Sequence, residues 1–161
     1  MDFVWNDYDP NTMNFVENWL DESAVESTGL DEGFQSFYAY WANEDGFSVG
    51  ENFWCKVISE YDKPFAIVAF CWHDNKMIIM EVLLAPEKRG QGKGSTLIKE
   101  LICNEEIVGF SEQNWEAAIY PRNIASRMAF ENAGFRYSGN RKDENGDSMS
   151  YTYKGNPEST S

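Results

Sequence analysis

The sequence predicts an α/β (α+β) chain with a mixed central sheet of about six to seven strands and four helices. Three observations carry that expectation. Residues 77–103, MIIMEVLLAPEKRGQGKGSTLIKELIC, pass from an almost continuously apolar stretch through a proline and a glycine-rich turn into an amphipathic stretch. A strand covered on both faces, followed by a helix, reads this way. Two apolar stretches with short connections precede it, the sign of an antiparallel meander. A further helical stretch opening at Asn123 separates two later strands.

Each element has its own signal. Phe3 and Trp5 alternate with polar neighbours over residues 2–7, a short first strand. Pro10 suits the first turn of a helix that sets Met13, Val16, Trp19 and Leu20 on one face, and residues 23–30 read as a loop. Phe34, Phe37, Tyr38 and Trp41 recur at i, i+3, i+4 and i+7, a second helix that ends before Gly46. Phe53, Cys55 and Val57 alternate as a half-buried strand does, residues 60–64 turn the chain, and residues 65–72 form a more buried strand. After a turn at 73–76 comes the apolar strand 77–84, which Glu81 alone interrupts. Leu97, Ile98, Leu101 and Ile102 then fall at helical spacing. Residues 115–120 form another strand, stopped by Pro121; Asn123 caps the next helix and Gly134 ends it. The last two strands, at 135–138 and 148–154, join around Asn145-Gly146, a hairpin signal. Residues 156–161 are expected to fray, leaving one domain over residues 1–155.

At 161 residues, 42% hydrophobic and 16% aromatic, the chain has ample material for a single core. No apolar run reaches the roughly 18 to 20 residues of a membrane span, and the acidic N-terminus lacks the pattern of a signal peptide. A cytoplasmic protein without a membrane partner is expected. Cys55, Cys71 and Cys103 each lie in apolar contexts suited to buried thiols, and neither they nor His73 have metal-ligand spacing. The net charge is −14, and residues 1–51 contain no Lys or Arg at all. Such a surface repels phosphate backbones, so no nucleic-acid partner is expected. Two readings of the acids stay open: a solubilising surface, or a wall that collects cations.

The glycine-rich turn suits an anion, because Gly90, Gly92 and Gly94 let backbone amides converge at a helix N-terminus. It is not a Walker loop, since Glu87 stands at the first glycine and Gly94 where Ser or Thr must bind a metal. Nor is it a dinucleotide fingerprint from Gly90, because Ser95 stands at the last glycine. The pattern that fits is R-x-x-G-x-G, from Arg89, Gly92 and Gly94, after Leu84-Ala85-Pro86. It resembles the acyl-CoA pyrophosphate loop of the GNAT superfamily of N-acetyltransferases. Residues 123–135, NIASRMAFENAGF, are similar to that family's second signature, with Asn123, Ser126, Gly134 and Phe135 in register. The order of elements also looks like the GNAT fold.

The resemblance implies an enzyme that moves an acetyl group from acetyl-CoA to a primary amine of a small acceptor or a peptide, as monomer or homodimer; the absence of Lys and Arg from residues 1–51, on its cation-collecting reading, makes that acceptor a cation. By it, Leu83, Leu84 and Ala85 offer backbone groups to the pantetheine arm. Arg89, Gly90, Gln91, Gly92, Lys93, Gly94 and Ser95 cradle the pyrophosphate, with side-chain charge from Arg89 and Lys93, and Asn123 and Ser126 touch the cofactor further along. The plain alternative for Lys93 is solvent exposure. Strand parity puts Glu116, Ala118 and Tyr120 on one face, from which some relatives project a catalytic Glu; Glu116 and Tyr120 are therefore candidates for base or acceptor contact. A rim charge and a packing aromatic are their plain alternatives. Glu81, a carboxylate in an apolar strand, is a third candidate, ranked lower because the family's usual register turns it away from the acceptor. Phe130 stands where relatives commonly carry a Tyr that protonates the leaving thiolate. That departure keeps a second reading open, a non-catalytic domain that binds or senses acyl-CoA.

Overall fold

The computed structural model describes residues 3–107, 109, 114–143 and 146–154. Among them seven strands form one sheet: β1 (Val4–Asp7), β2 (Phe53–Glu60), β3 (Lys63–His73), β4 (Lys76–Leu84), β5 (Asn114–Ile119), β6 (Arg136–Asp143) and β7 (Gly146–Lys154). Their spatial order is β1-β2-β3-β4-β5-β7-β6. All neighbouring pairs are antiparallel except β4 and β5, which are parallel. Four α-helices accompany them: α1 (Glu22–Thr28), α2 (Phe34–Ala42), α3 (Lys93–Cys103) and α4 (Ile124–Asn132). A parallel pair needs a crossover, and α3 supplies it.

The meander forms because its turns are built for tight hairpins. Tyr61 and Asp62 (φ 54° and 62°) and Asp74 and Asn75 (φ 57° and 62°) take the left-handed conformation that two-residue hairpin turns require. The strands they join bury both faces. On one side Ile58, Phe70, Met77, Ile79, Leu97, Ile98, Leu101 and Phe130 pack as a core beneath α3 and α4. On the other, Val16, Trp19, Ala24, Phe34, Val57, Ile67 and Leu83 pack beneath α1 and α2.

The N-terminal third departs from the sequence expectation. The helix expected from Pro10 is a 3-10 turn over Asn14–Trp19, and the α-helix lies in the stretch read as a loop. Asp21 caps α1 by accepting from the Ala24 N–H at 2.9 Å, and Gly29 closes it at φ 77°. The Gly33 cap position of α2 offers no side chain, so Glu17 reaches across: its carboxylate accepts from the N–H groups of Phe34 (2.8 Å) and Gln35 (3.1 Å). Gly33 has φ 95°, which side chains rarely adopt, and a Cβ there would stand 2.7 Å from that carboxylate, so a substitution would be strained and would push the cap aside. These acids neutralise helix N-termini, a local job that composition does not distinguish from a solvated surface.

At the other end, β6 and β7 extend beyond the expected strands, pairing as far as Lys142↔Asp147 and Asp143↔Gly146. The expected turn residue Asn145 and the tail at 156–161 lie outside the described residues. Cys55 and Cys71 are buried as expected; Cys103 is exposed, because it falls on the outward side of the last turn of α3.

Lys93, at the start of α3, is not the solvent-exposed side chain of its plain alternative. Its ammonium lies 2.9 and 3.1 Å from the carboxylate oxygens of Glu60 at the end of β2, with side-chain exposures of 12% and 5%. It also sits over the Phe65 ring at 5.8 Å. The pair fastens the start of α3 to the sheet. Lys93→Met leaves the Glu60 carboxylate buried without its cation and is expected to cost about 3 kcal/mol in urea unfolding, against less than about 0.5 kcal/mol for Lys99→Met on the exposed face of α3. Equal losses would contradict this reading of the pair.

Candidate active site

The site begins where β4 and β5 separate. Their parallel ladder holds only three pairs, Met77↔Trp115, Ile78↔Glu116 and Ile79↔Ala117. On the other edge of β4, Ala69 opposes Glu81 while Phe70 opposes Ile79, so Met80 is an extra residue, a β-bulge. A bulge bends its strand and increases its twist. Past it, β4 and β5 leave a cavity of about 150 Å³ instead of a continued ladder. Glu81, Tyr120, Ser148 and Phe130 are among its lining residues, with Ser27 and Thr28 from α1.

The bulge also decides which way Glu81 faces. Ile78 and Met80 pack on the α1/α2 side, and Glu81 opposes Ala69, which belongs to the same side. Strict alternation would have put Glu81 on the face of Met77 and Ile79; the extra residue turns it over. Among the described residues it is the one acidic residue lining the cavity. Burial among apolar strands pushes its carboxyl up to about 8, opposed in part by a hydrogen bond from the Val82 N–H.

Glu116 and Tyr120 share a strand face as expected but not a surrounding. Glu116 is outside the cavity lining and forms ion pairs with Lys76 and with Arg141, the latter at 3.1 Å. Tyr120 lines the cavity, and its ring would contact a Cβ at Gly29 at 3.5 Å. Arg122 covers the same ring at 4.6 Å and donates from Nε to the Glu26 carbonyl at 2.6 Å, fastening α1 to the end of β5.

Asn123 and Ser126 line the cavity from the start of α4, where the Asn123 Oδ1 accepts from the Ser126 N–H at 3.1 Å. Phe130 enters from the α3/α4 core, 3% exposed, edge-on to Phe135 at 5.0 Å. It brings no hydroxyl to the cavity. Leu83 and Ala85 are buried, and the Ala85 N–H donates to the Phe65 carbonyl at 2.7 Å, leaving part of the β4 end engaged with β3.

Beyond β4 the glycine turn leads into α3. Gly90 and Gly92 adopt φ 73° and 76°, and a Cβ on either would meet nothing within 4 Å, so the space above the turn is open. Gly94 instead faces α4, where its Cβ would touch Ala129 at 3.5 Å. The first intrahelical bond runs from the Thr96 N–H to the Gly92 carbonyl at 3.2 Å, and Ser95 Oγ donates to the same carbonyl. The N–H groups of the preceding turn make no intrahelical bonds, an arrangement suited to an anion. Gln91 folds back onto the Glu87 carbonyl at 2.8 Å. Arg89 turns away from the cradle: its guanidinium donates to the Leu84 carbonyl (3.1 Å), the Trp19 carbonyl (2.6 Å) and both carboxylate oxygens of Asp21 (3.1 and 2.9 Å). The Ala24 N–H and then Arg89 hold the Asp21 carboxyl below its ordinary range. The expected side-chain charge from Arg89 and Lys93 is therefore spent on Asp21 and Glu60.

No protein-family model matches the sequence, and no curated protein matches it. Solved structures do match, over nearly the whole chain. The aminoglycoside acetyltransferase AAC(6')-Ib, in complex with paromomycin and acetyl-CoA, superposes with a TM-score of 0.74 at 17% identity, covering 96% of this chain and 94% of that one. The fold is the GNAT acetyltransferase fold. An aminoglycoside N(6')-acetyltransferase from Legionella pneumophila gives 0.74 at 13% identity, covering 94% and 91%. Spermidine N-acetyltransferase from Vibrio cholerae, with CoA and spermine, gives 0.68 at 14%, covering 94% and 95%.

Within this GNAT fold, sequence reasoning missed Ser27 and Thr28, because α1 read as a loop; Asp21 and Gly29, a cap and a left-handed stop seven helical residues apart, were the available signal. It also missed Ser148, although Ser148, Ser150 and Thr152 alternate with Met149, Tyr151 and Tyr153. The Met80 bulge had no local signal. The Glu81 shift has a pH signature. From about pH 4.5 to about pH 8 the unfolded chain has released this proton while the folded chain keeps it, so rising pH favours unfolding across that window. Wild type is expected to lose stability relative to Glu81→Gln between pH 5 and 8, by on the order of a few kcal/mol in denaturant titrations. Parallel pH profiles would contradict the assigned environment.

Proposed function

We propose that the protein is an acetyl-CoA-dependent N-acetyltransferase acting on a primary amine of a small acceptor. The observation that carries this is the conjunction of an opened β4–β5 edge with an anion cradle at the end of the same strand. Acyl-CoA has both parts that such a surface fits: an arm of amides able to pair with strand edges, and a pyrophosphate for the cradle. The open space over Gly90 and Gly92 is compatible with close phosphate approach. When bound, acetyl-CoA supplies an acetyl group activated as a thioester.

The chain's own part is to hold the groups and manage protons. The backbone from Gly90 to Ser95 binds phosphate, and β4 past Ile79, with Asn123 and Ser126, holds the arm. Glu81 is the proposed general base. Once ionised, as it becomes on approaching about pH 8, its carboxylate is a stronger base than an ordinary one and can take a proton from an amine, directly or through water. This matters because a lysine-like amine is about 10³-fold protonated at neutral pH. Tyr120, fixed between Gly29 and Arg122, serves as a wall for the acceptor. Glu116, committed to Lys76 and Arg141, is assigned no catalytic part.

Asp21 and Glu17 serve as helix caps and are not part of an acceptor-binding wall. The structural neighbours crystallised with aminoglycosides and spermine make cationic amines the first choice for assay. Acetyl-CoA is expected to bind and raise Tm, Gly92→Glu to weaken binding at least about tenfold by setting a carboxylate in the cradle, and at least one amine among polyamines, aminoglycosides, amino acids and peptide N-termini to release thiol. CoA binding with no turnover of any amine would favour the non-catalytic reading. No binding by wild type would remove both.

A further inference from the structure

Ser148 is 5% exposed, lines the cavity, and its Oγ is buried with no hydrogen-bond partner among the described residues. A buried hydroxyl left unpaired destabilises a fold, so its retention needs an explanation beyond packing. Two other small hydroxyls of the lining are engaged: Ser27 Oγ and Thr28 Oγ1 donate to the Ala24 carbonyl at 3.2 and 2.7 Å.

Its face is set by the sheet. Met149, Tyr151 and Tyr153 pack with the α3/α4 core, as do Trp115, Ala117 and Ile119 of β5. Alternation puts Ser148 on the opposite face, and it stands one residue beyond the Ile119↔Met149 pair, beside Tyr120. Glu81 has been turned to that same side by the Met80 bulge, while Phe130 enters from the other. Glu81, Tyr120 and Ser148 thus share the α1 side of the opening. A carboxylate and an unpaired hydroxyl facing one small cavity are suited to a group with two N–H bonds to give.

We propose that Ser148 Oγ accepts a hydrogen bond from the acceptor's primary amine, fixing the nitrogen while its other N–H faces Glu81. This deepens the acetyltransferase reading and rests on it. Ser148 is then a specificity-determining residue that favours primary over N-methylated amines, because a site built to bind two N–H groups discriminates against an amine that has lost one.

The test compares wild type with Ser148→Ala on the panel amine of highest turnover and on its N-methyl analogue, with acetyl-CoA affinity and Tm measured in parallel. Ser148→Ala is expected to lower kcat/KM for the primary amine about tenfold and for the N-methyl analogue less than about threefold, with acetyl-CoA Kd unchanged. Removing an unpaired buried hydroxyl is also expected to leave Tm equal or higher, which a structural serine would not do. An unchanged primary-amine kcat/KM, an equal loss on both amines, or a lowered Tm would overturn the assignment. Failure of wild type to bind acetyl-CoA or to acetylate any amine would overturn the acetyltransferase reading itself, and Ser148's role with it.

Discussion

The bulge at Met80 is the constraint on which the site depends. One extra residue in β4 ends the parallel ladder to β5 after three pairs, opens the sheet, and turns Glu81 from the α3/α4 core to the α1 face. These are one event in backbone register, not three separate features. Without it, Glu81 would be an ionisable group buried among Met77, Ile79 and Phe70, and Tyr120 and Ser148 would border a continuous sheet. Placing a bulge beside a parallel seam lets a rigid sheet carry a deep opening while both flanking cores remain packed.

Electrostatics divide the work differently from the motif alone. A chain of net charge −14 is proposed to hold a polyanion, yet Arg89 and Lys93, the two cations nearest the turn, are both held by carboxylates. Their role in the fold is mechanical: Arg89 ties the Trp19–Asp21 segment to the end of β4, and Lys93 ties α3 to β2. The cradle is left with the dipole and N–H groups of the first turn of α3, which short-range geometry directs and bulk charge affects little. The same ties couple the two halves of the site, since Asp21 both receives Arg89 and caps the helix that brings Ser27 and Thr28 to the cavity.

How much of this was legible follows the range of the interactions. Signals confined to a few residues were readable: the hairpin meander, the glycine turn, Asn123 as a cap, and the aromatic spacing of α2. The 3-10 turn over Asn14–Trp19 and the helix after it were not, because the apolar spacing from Met13 to Leu20 satisfies a helix, while the segment instead packs its aromatics beneath the sheet and leaves Asp21 to start α1. The directions of Arg89 and Lys93 depend on Asp21 and Glu60, 68 and 33 residues away in the chain. A motif names a residue type at a position; the partner that captures its side chain is set by tertiary structure. The bulge is of the same kind, since only the pairing of β4 with β3 reveals that Met80 is supernumerary.

A crystal structure with CoA tests the central claim most directly. The arm is expected to lie along β4 past Ile79 and β5 past Ala117 as an added strand, with the phosphates over Gly90 and Gly92 and with Arg89 and Lys93 still paired to Asp21 and Glu60. CoA bound elsewhere, a β4–β5 ladder continued beyond Ala117, or phosphates held by Arg89 and Lys93 released from their carboxylates would contradict it.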